Sequence, residues 1–551
     1  MNLPSRTPSS PLDSPSTPAG AALGRRQILR GTAAGVVLAA PLLGGPLLGA
    51  PAASASAAGR APSAPAFVRT GRPVLTHGVA SGDVTTRSAM LWSRADRPAR
   101  LVAEISGDPA FRHAVRIPGP LLTASSDFTG SLPLHRLPAG EELFYRLRAV
   151  DPHDPRRSGP WESGRLVTAP ERRRDVRFLW SGDVAGQGWG VNPDLGGFRI
   201  ADAMRARRAD FYLSSGDNVY ADGVVTGSVA LPDGRIWRNL VTEEKSKVAE
   251  TLAEFHGNYR YNLLADNWRA FLAETSVIAQ WDDHEVTNNW YPGEILDDDR
   301  YTERRVDVLA ARARRAFHDY MPVSAVSPDP DGRVYRVLHL GPSLDLFVLD
   351  MRTHKDPNTS SMETRADGGV LGERQTAWLL RELARSRATW KVIAADLPIG
   401  LVVRDGETAQ EGLANGDPGS PRGREIDLAR VLSGLQRMGI RNHVWLTADV
   451  HYTAAHHYSP DRAAYQRFDP FWEFVAGPLN AGSFPHGDLD ATFGPSREFV
   501  SSPQAANTSP LEGHQYFGEV EVDGRTESLT VTLRDVVGAA LYTRTLEPAA
   551  R

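Results

Sequence analysis

The sequence predicts a mixed α/β protein: an N-terminal β-sandwich of immunoglobulin or fibronectin type, followed by a longer region in which strands alternate with helices. Three observations carry this. From about Phe67 to Ala169 short alternating runs are separated by turn clusters, with no helical period among them. After Glu171 short apolar runs alternate with amphipathic stretches of helix length. Six of those apolar runs stop at an aspartate.

Composition sets the bounds. The chain has 551 residues, 62 Lys+Arg against 66 Asp+Glu, and 41% hydrophobic residues. That is long enough for more than one domain and argues against wholesale disorder or a many-span membrane protein. A net charge of -4 supplies no basic field for nucleic acid. There is no Cys, which excludes disulfides, thiolate metal sites and a Cys nucleophile. Any metal or catalytic centre therefore uses oxygen and imidazole.

The first 57 residues read as a twin-arginine export signal. A Ser-, Pro- and Thr-rich start leads to Arg25-Arg26-Gln27-Ile28-Leu29-Arg30, then to a weakly apolar run from Gly31 to Ala50 and the small residues Ala53-Ser54-Ala55-Ser56-Ala57. Pro41, Pro46 and several glycines dilute the run, so cleavage is favoured over a retained membrane span. Cleavage after Ala57 removes four arginines and one aspartate and takes the net charge from -4 to -7. The expected destination is outside the cytoplasm, secreted or associated with periplasm or cell wall, with the twin-arginine machinery as export partner and no stable membrane span. Residues 58–65 read as a linker, 66–170 as the β-sandwich domain and 171–546 as the second domain.

In the sandwich region the strand signals include Leu101-Val102-Ala103-Glu104-Ile105 and Glu142 to Val150, with Ser106-Gly107-Asp108-Pro109 and Leu137-Pro138-Ala139-Gly140 as turns. In the second region helices are expected over Phe198–Arg208, Glu250–Asn262, Thr302–Asp319 and Gln375–Arg387. The stretches from about Val224 to Ala265 and from Asp405 to Gly423, rich in Gly and charge, read as surface loops or lids.

The runs beginning at Val176, Phe211, Val277, Leu344, Trp390 and His443 lead to Asp183, Asp217, Asp282 with Asp283, Asp350, Asp396 and Asp449. In open α/β sheets ligands bind at the carboxyl edge of the strands, so these carboxylates can meet at one point. Taken singly, each is as readily a turn former or helix cap. Taken together they repel unless cations lie between them, and their neighbours are metal companions: Tyr220 after Asp217, His284 and Glu285 after Asp283, His451 after Asp449. A phenol ionises near neutrality only beside a strongly polarising cation, which suits ferric iron. An aspartate shared by two ions gives a two-metal arrangement that generates hydroxide and clamps a phosphoryl group.

These residues resemble the metallophosphatase superfamily and, more closely, the alkaline phosphatase D (PhoD) family. The resemblance rests on Thr76-His77-Gly78-Val79-Ala80-Ser81-Gly82-Asp83, Leu91-Trp92-Ser93-Arg94, Trp281-Asp282-Asp283-His284-Glu285-Val286-Thr287-Asn288-Asn289-Trp290, Leu371-Gly372-Glu373-Arg374-Gln375 and Thr447-Ala448-Asp449-Val450-His451. It implies a β-sandwich followed by a two-sheet α/β/β/α phosphatase domain that binds iron and calcium and hydrolyses phosphate esters. Carried over, it places Asp183, Asp217, Tyr220 and His451 around Fe(III) and makes Asp217 the bridge. It gives Asp283, Asp396 and Asp449 to Ca2+, with Asp396 resting on its strand position and the following Leu397-Pro398. One departure stands out: the family commonly has a Cys near the first iron ligand, whereas here the sequence is Ser181-Gly182-Asp183. Zinc, manganese and magnesium therefore stay open.

On this resemblance the expected reaction is attack of a metal-bound hydroxide on phosphorus, in an alkaline phosphatase/phosphodiesterase acting on small phosphate esters or diesters. His284 is expected to protonate the leaving oxygen or to orient Asp283. Arg352 grips phosphate or pairs with a cluster carboxylate, the two readings being equal. Asn288 contacts substrate, supports the calcium shell or forms a turn. Trp189, Trp290 and Tyr291 can rim the cleft, though packing is commoner for aromatics; His456 and His457 are expected at the surface. The alternatives are a phospholipase D-like diesterase and a non-catalytic secreted protein that binds the cell wall.

Overall fold

A computed structural model describes residues 71–324, 332–365 and 369–549. The leader at 1–57 and the linker at 58–65 lie outside the described residues. In chain order the first strands are β1 (Leu75–Gly82), β2 (Ser88–Ala95), β3 (Ala99–Ser106), β4 (Val115–Leu122), β5 (Thr129–His135), β6 (Glu142–Val150) and β7 (Glu162–Val167). Then come β8 (Val176–Ser181), α1 (Arg199–Ala206), β9 (Phe211–Ser215), a small hairpin of β10 (Ser228–Ala230) and β11 (Ile236–Arg238), α2 (Leu252–Asn262), α3 (Asp266–Glu274), β12 (Ser276–Gln280) and α4 (Val306–Tyr320). The next elements are β13 (Arg336–His339), β14 (Leu344–Val348), α5 (Gly372–Arg385), β15 (Trp390–Ala394), a short pair of β16 (Arg404–Asp405) and β17 (Ala409–Gln410), α6 (Glu425–Arg437) and β18 (His443–Thr447). The described chain closes with β19 (Thr453–Tyr458), β20 (Phe471–Val475), β21 (Pro495–Ser501), β22 (Tyr516–Val522), β23 (Leu529–Asp535) and β24 (Ala540–Leu546).

Two large sheets face each other. One has nine strands in the order β24-β23-β22-β8-β9-β12-β1-β2-β5, the other seven in the order β13-β14-β15-β18-β20-β19-β21. The pleat explains why strands with almost no polar alternation were apolar throughout: successive side chains leave opposite faces, and both faces are buried. Phe178, Trp180, Phe211, Leu213, Val348, Val392 and Leu446 point between the sheets. Leu179 and Tyr212 point the other way, against Met204, Phe255, Phe271 and Leu309 on α1 to α4. Phe347, Ile393 and Trp445 meet Trp378, Leu379 and Leu432 on α5 and α6. The result is the α/β/β/α layering.

The N-terminal sandwich shares one of these sheets. Its strands β1, β2 and β5 extend the nine-stranded sheet through a parallel pairing of β1 with β12, Gly82 opposite Val277, while β4-β3-β6-β7 form the facing sheet. The core between them, with Leu91, Leu101, Tyr145 and Leu147, runs without a break into the core between the large sheets. The described residues pack as one unit.

A buried ion pair reinforces the join. Asp83, the last residue of the Thr76–Asp83 motif, receives Arg336 Nη2 at 2.6 Å and Nε at 3.0 Å, with both side chains buried. The helices expected over Phe198–Arg208, Glu250–Asn262, Thr302–Asp319 and Gln375–Arg387 fall within a few residues of α1, α2, α4 and α5, while α3 and α6 are additional. The stretch from Val224 to Ala265 divides: up to about Lys247 it is largely exposed and carries the β10–β11 hairpin, whereas its end is α2, opened by a Thr251–Glu254 capping box, with Phe255, Tyr259 and Tyr261 buried. Asn258 and Asn262 are buried too, hydrogen bonded to Lys245 Nζ and to the Asn218 carbonyl.

Arg336→Met leaves the Asp83 carboxylate unpaired in the interior, and breaking such a pair costs about 3–5 kcal/mol. Urea denaturation of the variant is expected to show a loss of that size, with most of it recovered in the double variant Asp83→Leu/Arg336→Met.

Candidate metal centre

The parallel strands of both sheets run out at the same edge, and the chain turns sharply there. Asp183, Asp217, Asp449 and His451 all have positive φ, between 47° and 67°. Side chains with a Cβ enter this left-handed region at a cost of order 1–3 kcal/mol, and such residues cluster at functional sites. The turns aim the side chains into the seam between the sheets.

Donor atoms of Asp183, Asp217 and His451 lie within 4.8 Å of one another. Tyr220 Oη is 2.8 Å from His451 Nε2. The opposite ring nitrogen, His451 Nδ1, is held by the Gly482 carbonyl, which fixes the proton on Nδ1 and leaves Nε2 as the donor atom. Two glycines permit the approach: a Cβ on Gly477 would stand 2.2 Å from Asp183 Oδ2, and one on Gly186 2.3 Å from the Tyr220 ring.

Both oxygens of Asp183 are buried without a hydrogen-bond partner. A buried carboxylate left bare in this way costs several kcal/mol. Burial, and then the charges of neighbouring acids, push the carboxyls of Asp183 and Asp217 well above the usual carboxylate range, and burial drives the Tyr220 phenol up likewise. Burial lowers His451 to about 4, keeping it neutral. A donor set of two carboxylates, a phenol and a neutral imidazole, short of positive charge, fits a hard, strongly polarising cation.

A second set adjoins it. Asp217, Asp283 and His284 form one group of close donors, and Asp282, Asp283 and Asp449 another. Asp217 thus has close donor atoms on two sides, those of Asp183 and His451 and those of Asp283 and His284. Burial, with the charge of Asp282 next, holds the Asp449 carboxyl well above its usual range. Asp396 lies at the same strand edge but is in none of these groups: Gln280 Nε2 at 3.1 Å and Arg352 Nε at 3.2 Å take its two oxygens, and Asp282 is likewise paired with Arg352. Asp350 does not join the cluster and staples its own turn, accepting from Trp281 Nε1 at 3.0 Å and the Thr353 hydroxyl at 2.6 Å.

His284 lines the cleft. Its Nδ1 is 2.7 Å from Asp222 Oδ1, and the other Asp222 oxygen accepts the Asn288 backbone N–H at 2.9 Å. Burial opposes the imidazolium, but Asp222 and Asp283 overcome it and push His284 up to about 9. The Tyr220 ring stacks on it at 4.2 Å. Asp222 was missed in the sequence; the signal available was its place just beyond Tyr220 in the Gly216–Asp222 turn. Glu285 is a further buried acid, tying the ends of β9 and β12 by accepting from the Asn218 and Asp282 backbone at 2.6 and 2.8 Å.

Arg352 resolves in favour of its second reading. It is wholly buried, and its nitrogens meet Asp282, Asp396, Glu411 and Asp449. Glu411 corrects the other loop expectation, because the Asp405–Gly423 stretch delivers this carboxylate into the floor of the centre. Asn288 is exposed on the cleft wall. Trp189 and Trp290 pack against Trp237 and Trp281 rather than rimming the cleft. The walls instead comprise Leu401, Val402, Val403, Tyr452, Phe484 and Pro485 around about 360 Å³. His456 is not at the surface: it is buried, with Nδ1 3.0 Å from Glu473.

This geometry matches what is known of one family. The sequence model described as PhoD-like phosphatase covers residues 178–533, and that of the PhoD-like phosphatase N-terminal domain covers residues 60–170. The chain belongs to the PhoD-like phosphatase family. Alkaline phosphatase D of Bacillus subtilis (strain 168) is 26% identical over 404 residues, covering 68% of this chain and 64% of that protein, so the match spans under two thirds of the relative's length. The solved structure of PhoD superposes with a TM-score of 0.65 at 19% identity, covering 88% of this chain and 90% of that one. A purple acid phosphatase from yellow lupin (Lupinus luteus) seeds gives 0.50 at 11% identity, with 87% and 74% covered. These likenesses establish the shared PhoD-like fold.

Two outcomes follow for the centre. Gly477→Ala is expected to purify with less metal than the parent by elemental analysis, because its Cβ takes the space of Asp183. For the metal-stripped protein the sign is fixed by the raised carboxyls: they hold protons more tightly folded than unfolded, so stability is greatest below the ordinary carboxylate value near 4 and falls as pH rises. Denaturant midpoints at about pH 5 and about pH 8 should show that fall after chelation and lose it when metal is restored.

Proposed function

We propose that this PhoD-like chain is an exported, metal-dependent phosphoesterase, an alkaline phosphatase/phosphodiesterase acting on small phosphate esters or diesters. The observation that carries the reading is the bare, buried carboxylate of Asp183 beside Asp217, Tyr220 and His451, continuous through Asp217 with Asp283 and Asp449. Support for export comes from the twin-arginine motif of the leader. No helix among the described residues is long and apolar enough to cross a membrane.

Asp183, Asp217, Tyr220 and His451 would hold ferric iron, the phenol being the donor that favours it over zinc. Asp217, Asp283 and Asp449 would hold calcium, whose preference is for several oxygen donors. With no Cys in the chain, the iron side would lack the thiolate that the family commonly has near its first iron ligand. When bound, such a pair of cations activates water and neutralises charge growing on phosphoryl oxygens.

The chain's own groups do the rest. Asp222 accepts from His284 Nδ1, so the imidazolium is oriented with Nε2 as its free nitrogen, a proton donor for the leaving oxygen. The backbone N–H of His284 also donates to Asp217 Oδ1 at 3.1 Å, which couples the acid to the bridging carboxylate. Asn288 stands on the exposed wall, where its amide meets substrate oxygens. The apolar wall from Leu401 to Val403, with Phe484 and Pro485, favours a second reading in which the substrate is a diester with an apolar arm, as in phospholipase D-like hydrolysis. A purely binding role for the cell wall is disfavoured by the intact donor set.

The test is turnover of p-nitrophenyl phosphate, its bis-ester and phosphatidylcholine at fixed metal loading, beside elemental analysis and the visible spectrum. A Tyr-to-iron absorption band with iron and calcium present supports the assignment; zinc alone overturns the metals. Asp217→Ala is expected to abolish turnover. His284→Ala should lower kcat by about 100- to 10,000-fold and Asp222→Asn by about 10- to 100-fold, with metal content retained in both; full activity in His284→Ala removes it from the proton-donor role.

A further inference from the structure

The floor of the centre already holds a cation. Arg352 Nε lies 2.5 Å from Asp282 Oδ1 and 3.2 Å from Asp396 Oδ2, Nη2 lies 3.2 Å from Asp449 Oδ1 and 3.9 Å from Asp283 Oδ1, and Nη1 pairs with Glu411. These carboxylates arrive from the ends of β12, β15 and β18 and from the turn after β17. One planar group therefore joins strand ends of both sheets. Its side chain has no exposed surface, so it has no face to offer a substrate phosphate.

The guanidinium is itself locked in place. Glu411 also pairs with Lys355 Nζ at 2.8 Å, and Arg424 Nη1 donates to the carbonyls of Gln410 and Glu411, each at 2.8 Å, pinning the turn that presents Glu411. Arginine suits this place because its fork addresses several carboxylates at fixed angles and keeps its charge. A divalent ion such as calcium addresses a cage of carboxylate oxygens in the same way. Asp282 Oδ2 and Glu411 Oε2 remain buried and unpartnered, so the floor still has oxygens to offer.

We propose that Arg352 is a permanent, genetically encoded cation of the centre, a positioning residue that keeps Asp282 and Asp396 from the exchangeable metals and whose seat takes up a calcium ion once the guanidinium is removed. The inference rests on the metallophosphatase reading and makes the second metal position shallower than the strand-end aspartates alone suggest. Asp283, Glu411 and Asp449 line the cleft, while Asp282 and Asp396 do not and lie on the guanidinium. Neutralising that guanidinium leaves the floor with an uncompensated negative charge that only a cation or bound protons can relieve.

The experiment measures calcium per chain and the calcium-dependent rise in melting temperature for the full-length exported protein, Arg352→Gln and Arg352→Lys. Arg352→Gln is expected to bind one calcium more than the parent and to show a larger calcium-dependent rise, including the case in which it folds only with calcium present. Arg352→Lys keeps the charge but not the fork; it is expected to take up part of the extra calcium and to show an intermediate rise. A merely structural ion pair would lower melting equally with and without calcium, so equal calcium responses in both variants overturn the proposal. If Arg352→Gln cannot be recovered, Arg352→Lys decides: a rise no larger than the parent's overturns it. A parent that binds no metal at all would instead sink the metallophosphatase reading, which keeps the two failures apart.

Discussion

Everything at the functional end of this fold answers to one constraint: an excess of buried negative charge at the seam between two sheets. Asp183, Asp217, Asp282, Asp283, Asp396 and Asp449 are gathered where parallel strands end, and Glu285 and Glu411 add to them. The chain relieves part of this charge internally. Backbone N–H groups and Asn218 serve Glu285, while Arg352 and Lys355 serve the floor. What it does not relieve is most evident at Asp183, neither of whose oxygens has a donor; burial, and then the charge of Asp282, push its carboxyl well above the usual carboxylate range.

Holding such a cluster together needs a stiff frame, and the shared nine-stranded sheet provides it. Because β1 pairs with β12, the strand that ends at Asp282 and Asp283 is clamped between β9 and the sandwich rather than left at an edge. The hydrophobic layer between the large sheets supplies the rest: Phe178 stacks on Phe211 at 4.6 Å, and Trp180 Nε1 reaches across to the Thr447 carbonyl at 3.3 Å. Each large side chain buried in this way contributes about 1.5–3 kcal/mol. That stabilisation offsets strained backbone at the ends of three strands, β8, β9 and β18, which an isolated loop could not maintain.

The strand-end aspartates were legible in the sequence because a buried parallel strand is a short apolar run, and an acid closing such a run is conspicuous. That pattern marks Asp183, Asp217, Asp283 and Asp449, whereas Tyr220 and His451 are grouped with them by their nearness in sequence and by the family resemblance. Asp396 was misplaced by the same logic, since strand position fixes the edge a residue reaches but not its depth along the seam. Asp222 and Glu411 were illegible for a different reason: each lies in a turn rich in Gly or charge, where composition suggests solvent, and each is buried only because a distant residue, His284 or Arg352, supplies its partner. Helix α3 carries a weak signal because it is short and buries just Trp268 and Phe271, whereas α6 has 13 residues and buries Leu428, Val431, Leu432 and Leu435 at helical spacing, a pattern that was legible in the sequence.

The two histidines show how one fold sets opposite protonation states a short distance apart. His451 gives Nδ1 to a neutral carbonyl, that of Gly482, and sits in surroundings that lower it to about 4, so a lone pair on Nε2 is available at any ordinary pH. His284 gives Nδ1 to a carboxylate, that of Asp222, and the net effect of its surroundings lifts it to about 9, so a proton is held where the cleft opens. A metal ligand requires the first state and a general acid the second. The difference lies in the group behind each ring, a carbonyl or a carboxylate, and not in the rings themselves. Tyr220 touches both, with its hydroxyl on one imidazole and its face against the other, so any shift of that phenol is felt at once by the proposed iron side and by the proposed proton donor.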